Sequence, residues 1–195
     1  MSTTDTTDQP LRARPKRADA RRNYDKVIAA AREAFGKDGT ATSLEEIARR
    51  AEVGIGTLYR HFPNRQALLE AVYVDEVEAL CRSAADLADL PPWDGLVAWL
   101  HRFVAYMATK QALAHELLDY VDRDAAVFAS SRAAMYAAGG PLLARAQQSH
   151  VVRADTDLPE VIQMVGGIAK IQAGEPGQID HILDIALDGL RYRTQ

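Results

Sequence analysis

Apolar residues recur along most of this chain at spacings of three and four, the pattern of helices with one buried face. From Ala20 to Lys37 they are Tyr24, Val27, Ile28, Ala31 and Phe35, all on one side. Asp38-Gly39 closes that segment, because glycine enters the left-handed cap conformation without steric cost. A short helix over 44–51 carries Leu44, Ile47, Ala48 and Ala51, and Ser43 with Glu46 forms a capping box at its start. The turn Glu52-Val53-Gly54-Ile55 leads into a second short helix that buries Leu58 and Phe62, four residues apart. Thr57, Arg60, His61 and the Tyr59 hydroxyl then face outward. Asn64 is a good N-cap for a longer helix reaching about Leu87, and Pro91-Pro92 ends the run.

Beyond the prolines the periodicity predicts helices at about 94–109, 112–122, 125–138, 141–150, 158–173 and 177–192. Asp94 is placed to cap the first of these, and Asp157 with Glu160 forms a box opening the fifth. Gly139-Gly140-Pro141 interrupts what would otherwise be one long helix. No strand alternation and no internal repeat is present, so the fold class is all-α.

Two short helices around a glycine-bearing turn have the layout of a helix-turn-helix, in which the second helix offers donors to a DNA major groove. The segment GTLYRHFPNRQALLEAV, preceded by TSLEEIARRAEVG, resembles the N-terminal domain of TetR-type (tetracycline-repressor-like) transcriptional regulators. The resemblance runs from Tyr24 to about Val77 and is most specific over Thr57 to Arg65. It implies a three-helix DNA-binding domain at 20–66 and a helical bundle at 67–195 that dimerises and binds a small molecule. By the same resemblance Ser43, Thr57, Tyr59 and Arg65 would hold phosphates, while Ile55, Gly56 and Arg60 would lie nearest base edges. Arg60 can pair bidentately with guanine, and Ile55 can touch a thymine methyl. His61 either touches phosphate or packs. The turn departs from the family pattern, which closes the first helix with glycine and caps the second with a small polar residue. Here Glu52 and Gly54 stand at those places, and a glutamate at positive φ costs roughly 1 kcal/mol.

Charge sharpens this picture. The chain of 195 residues has a net charge of −4, yet residues 11–66 hold thirteen Lys/Arg against seven Asp/Glu. The acidic excess lies in residues 67–195, with eighteen Asp/Glu against ten Lys/Arg. A basic part joined to an acidic one is expected where one end docks on phosphate. Residues 1–19 read as a flexible basic tail, whose Arg12, Arg14, Lys16 and Arg17 either track DNA or only solubilise the chain. The single cysteine, Cys81, excludes an internal disulfide, and the polar first ten residues are unlike a signal peptide. No apolar run is long enough to span a bilayer, so the expectation is a soluble, cytoplasmic protein with no membrane partner.

Trp99, Phe103, Tyr106 and Met107 occupy one helical face, with Tyr120 further on. Such a stripe either fills a core or lines an apolar effector cavity. His101, His115, Glu116 and Asp119 lack the tight spacing of a metal site, and no catalytic constellation or nucleotide loop stands out, so neither cofactor nor enzyme activity is expected. The helices at about 158–173 and 177–192 are apolar over wide faces, with Gly166, Gly167, Ala169 and Ala173 permitting close approach. Paired between two chains they would form a four-helix dimer interface; the alternative is that they pack wholly inside one subunit. The sequence thus reads as a homodimeric regulator, a repressor released from a palindromic double-stranded operator by an apolar or aromatic effector. Two alternatives stand beside it: a constitutive DNA-binding regulator without effector, and a small helical-domain enzyme.

Overall fold

The computed structural model describes residues 15, 17–38, 42–118, 120, 122, 125–172 and 174–191, with backbone alone at 38, 108–112, 114 and 115. Among these residues there are eight helices: α1 (Ala18–Asp38), α2 (Leu44–Arg50), α3 (Ile55–His61), α4 (Arg65–Asp86), α5 (Pro92–Leu117), α6 (Ala126–Gln148), α7 (Leu158–Ile168) and α8 (Gln178–Asp188). A single isolated bridge, Val152 to Arg191, is the one extended pairing among the described residues. The all-α class is as expected. Gly39, the predicted cap of the first helix, and Arg12, Arg14 and Lys16 of the basic tail lie outside the described residues.

The contacts divide the chain into two compact units. The first draws on Gln9–Glu78 and Thr109–Ser131 and so takes in the first part of α4. Its core is the predicted face of α1 (Tyr24, Val27, Ile28, Ala31, Phe35) closed by Ile47 and Ala48 of α2, Leu58 of α3 and Leu68 of α4. Arg32 of α1 pairs with Asp75 and Glu76 of α4. Burial pushes the Glu76 carboxyl above the usual range, with Arg32 pulling the other way. Tyr73 meets the Phe128 ring edge-on at 5.3 Å. These contacts explain why the first half of α4 belongs with the helix-turn-helix.

The second unit draws on Ala79–Ala108 and Arg132–Gln195. Trp99 is fully buried at its centre, and its Nε1 donates to the Leu80 carbonyl at 3.2 Å. Arg145 of α6 donates to the Ala88 and Leu90 carbonyls, which satisfies the turn between α4 and α5. Asp157 and Glu160 make both halves of the predicted capping box at α7.

Four expected boundaries are corrected. The helices predicted at 94–109 and 112–122 are one, α5, because 110–114 contains no breaker and consists of good helix formers. It opens with Pro92 at the first helical position, where the missing N–H is not needed. The Gly95 amide bonds to Pro91 at 2.9 Å, so Asp94 sits in the first turn and does not cap. The predicted break at Gly139-Gly140-Pro141 is likewise absent, and α6 continues through Pro141. Gly140 has no Cβ to clash with the proline ring, which relieves part of the usual objection to a helical residue before proline. Gly139 serves packing: a Cβ there would overlap the Trp99 indole, with Cζ3 only 2.6 Å away. Finally, α7 and α8 are shorter than expected. After Ile168 the amides of Lys170 and Ile171 reach back three residues, tightening the end of the helix, and Gly177 at φ +81° precedes α8.

The glycines of α1 and α6 should therefore respond oppositely to a methyl group. Gly36 has nothing within 4 Å of a Cβ position, so Gly36→Ala should stabilise the protein by about 0.5–1 kcal/mol. Gly139→Ala should destabilise it by about 1–3 kcal/mol through overpacking against Trp99. Urea denaturation midpoints of the two variants check this, and an unchanged or raised midpoint for Gly139→Ala would refute the packing role of Gly139.

Candidate nucleic-acid interface

The helix-turn-helix is built from two seven-residue helices held by their apolar anchors. Leu58 and Phe62 are fully buried, and the Phe62 ring lies 5.0 Å from Tyr24 of α1. The turn takes the strained form anticipated: Glu52 adopts φ +54°, and Gly54 is the N-cap of α3 with no side-chain bond. The amides of Glu52 and Val53 bond to Arg49 and Ala48, closing α2, and the Glu52 carboxylate lies 3.7 Å from Lys26.

Of the residues expected on the outer face, Ile55, Gly56, Tyr59 and Arg60 are exposed and Thr57 is half-buried. Ile55 and Tyr59 are large apolar side chains left 38% and 43% exposed on the same short helix. Arg60 forms no ion pair with any described residue. His61 is half-buried and meets Tyr24 edge-on at 6.0 Å, so it packs as well as facing outward.

Ser43 is exposed at the start of α2, and its hydroxyl accepts the Glu46 amide at 3.2 Å. The return half of the expected capping box is not made. Glu46 turns instead to Arg49 and Arg50, accepting from Arg49 Nε at 2.8 Å and from Arg50 Nε at 2.7 Å. Those two guanidinium groups hold its carboxyl down at about 2. A charged pair one turn away outcompetes a single backbone amide.

Arg65 departs most from its expected place. Its Nε donates to Glu116 at 2.5 Å, and a second nitrogen donates to the Thr42 carbonyl at 2.7 Å. The guanidinium lies 5.6 Å from the centre of the Phe35 ring, and the side chain is 22% exposed. It faces the interior of its unit. Glu116 stands 51 positions further along the chain, and nothing in its local sequence marks it as a partner.

The aromatic stripe is packed. Trp99, Phe103, Tyr106 and Met107 are all buried, with ring centroids 6.3 Å apart for Trp99–Phe103 and 6.0 Å for Phe103–Tyr106. Tyr120, by contrast, is exposed. An open cleft of about 270 Å³ in the second unit lies between Arg153–Thr156 and α7 and touches none of the stripe. His101 sits between Asp180 and Asp184 of α8, at 3.4 and 3.2 Å. No cluster of His, Cys, Asp or Glu among the described residues could hold a metal ion, and the side chains of His115 and Asp119 lie outside them.

Two family models match the chain. Residues 27–72 match the bacterial regulatory proteins of the tetR family, and residues 91–192 match the C-terminal domain of SbtR-like transcriptional regulators. Together they cover both halves of the molecule. The chain belongs to the TetR family. A TetR transcriptional regulator from Streptomyces coelicolor, SCO0520, is 38% identical, with 87% of this chain and 99% of that one aligned at a TM-score of 0.76. A TetR regulator from Mycobacterium vanbaalenii is 34% identical over 91% of this chain and 99% of its own, with a TM-score of 0.75. The HTH-type transcriptional regulator SAR0097 of Staphylococcus aureus (strain MRSA252) is 31% identical over 83 residues, which is 41% of this chain and less than half, 44%, of that relative.

TetR-family membership makes this a DNA-binding transcriptional regulator and sets aside the small-enzyme alternative. No helix among the described residues is long and apolar enough to cross a membrane. The TetR family leaves open whether the stripe on α5 is core or cavity wall, and the packing decides what truncation should do. Phe103 is 3% exposed between two rings, so Phe103→Ala should cost about 3–5 kcal/mol of stability. A loss below about 1 kcal/mol in chemical denaturation would show that this ring borders empty space.

Proposed function

We propose that this TetR-family chain is a homodimeric repressor that reads a palindromic operator with α3 and is released by a small apolar or aromatic molecule. The observation that carries the DNA half is the outer face of α3. Ile55, Gly56, Tyr59 and Arg60 stand exposed above Leu58 and Phe62, which are fully buried and fix the helix's rotation. Arg60 and Ile55 then contact base edges, while Thr57, Tyr59 and the exposed start of α2 at Ser43 hold phosphates. His61 has a lesser part, since its ring is shared with Tyr24. Arg65 is bonded inside its unit, to Glu116 and the Thr42 carbonyl, and is not counted among these contacts.

Selection from random duplex DNA tests the whole reading, and a palindrome with two half-sites about one helical turn apart is the expected product. On that operator Arg60→Ala should lose roughly 1–3 kcal/mol and relax preference at one base pair per half-site. Equal affinity and unchanged preference would remove α3 from the reading role.

Dimerisation is supported by the free sides of α7 and α8. Val161, Val165, Ile168, Leu183 and Leu187 are buried within the subunit, so the pairing face is the opposite one. Ile185 is 61% exposed there, and Cβ positions at Gly166 and Gly167 meet nothing within 4 Å. Small residues beside an exposed isoleucine suit close helix approach between chains. Sedimentation at micromolar concentration should give a dimer. Gly167→Leu and Ile185→Lys should each shift it toward monomer while leaving helicity intact, because both positions are open in the subunit.

One observation favours the constitutive alternative. The stripe that was a candidate effector site is buried, and the rings of Trp99, Phe103 and Tyr106 lie beside one another along it. Screening apolar and aromatic compounds for release of the operator separates the two readings.

A further inference from the structure

Arg65 and Glu116 form a contact whose two members would each be better placed elsewhere. Arg65 opens α4 beside the helix-turn-helix, yet its guanidinium is directed at Glu116 and the Thr42 carbonyl. Glu116 is the penultimate residue of α5, where the unsatisfied carbonyls of a helix end repel a carboxylate. Its second oxygen, Oε2, is buried without a hydrogen-bond partner among the described residues. Arg65 is therefore what compensates this carboxylate.

A guanidinium binds carboxylate and phosphate oxygens through the same charge-assisted, forked geometry. We propose that Glu116 is an internal stand-in for a DNA phosphate: it competes with the DNA backbone for Arg65 and holds down the affinity of the head. While the pair is closed, the head docks with one phosphate contact fewer. When the last turn of α5 shifts, Glu116 reaches water and Arg65 becomes available to DNA. Helix α5 also carries Trp99, Phe103 and Tyr106, so an event that displaces this helix is communicated to DNA affinity through one ion pair. This inference rests on the DNA-binding reading above.

The test measures binding of the full-length protein to a random-sequence duplex of about 30 base pairs across a range of salt concentration. Glu116→Gln keeps the shape and an acceptor but removes the charge. It should bind about three- to tenfold more tightly at low salt, with a salt slope steeper by about one unit, the signature of one added phosphate contact. Glu33→Gln, which removes the same charge from an exposed site on α1, should leave the slope unchanged. Arg65→Gln combined with Glu116→Gln should abolish the gain. If Glu116→Gln does not fold, as judged by thermal unfolding, Glu116→Asp retracts the carboxylate by one methylene and should shift the slope in the same direction. A folded Glu116 variant with unchanged slope and equal or weaker binding overturns the proposal and leaves the pair a fixed brace. Wild-type protein that binds no duplex at any salt overturns the DNA-binding reading itself, a result easily told from the first.

Discussion

Everything presented to DNA in this protein depends on the burial of two side chains, Leu58 and Phe62. Helices of seven residues have no independent stability in water, since nucleation is unfavourable and too few bonds follow to offset it. Burying each anchor contributes on the order of 1.5–3 kcal/mol, enough to hold such a helix against α1. The two residues lie four apart, so they also fix which way the helix is turned about its axis. The exposure of Ile55, Gly56, Tyr59 and Arg60 is thus a consequence of folding, with no separate device needed to aim them.

The turn that feeds this helix tolerates strain for the same reason. Glu52 at φ +54° occupies a backbone region that costs a non-glycine residue about 1 kcal/mol or more. The amides on either side of the strained bond are nevertheless both satisfied, and Gly54 enters α3 without a side-chain cap. A penalty of this size is small beside the burial that follows it. It is consistent with a helix-turn-helix in which packing, rather than turn chemistry, sets the geometry.

The periodic face of α1, the anchors of α3 and the box at Asp157 were legible in the sequence because each rests on neighbours within one or two turns. What was not legible rests on distant partners. Gly139-Gly140-Pro141 carries every local sign of a break, yet Gly139 is there to admit Trp99, forty residues earlier in the chain, and the helix runs on. Glu46 has the spacing of a capping residue but lies within reach of two arginines, a competition that the box pattern does not weigh. Arg65 shows the limit most plainly. Its place in the motif suggests a surface cation, and only the return of α5 beside it supplies the carboxylate that turns it inward.

The basic character of the head is partly answered from within the protein. Counting charges over residues 11–66 treats every arginine as available to phosphate. Arg32 is held between Asp75 and Glu76, Arg65 by Glu116, and Arg49 and Arg50 both engage Glu46. Three of these four carboxylates, Asp75, Glu76 and Glu116, come from α4 and α5, beyond the basic segment itself. Helices outside the helix-turn-helix therefore neutralise part of its charge from within. Arg60, with no such partner among the described residues, is left as a cation of the recognition helix whose field is not already answered by the protein. The DNA-facing charge is smaller and more localised than composition suggests, and a change in α4 or α5 that alters a pair also alters the field that DNA meets.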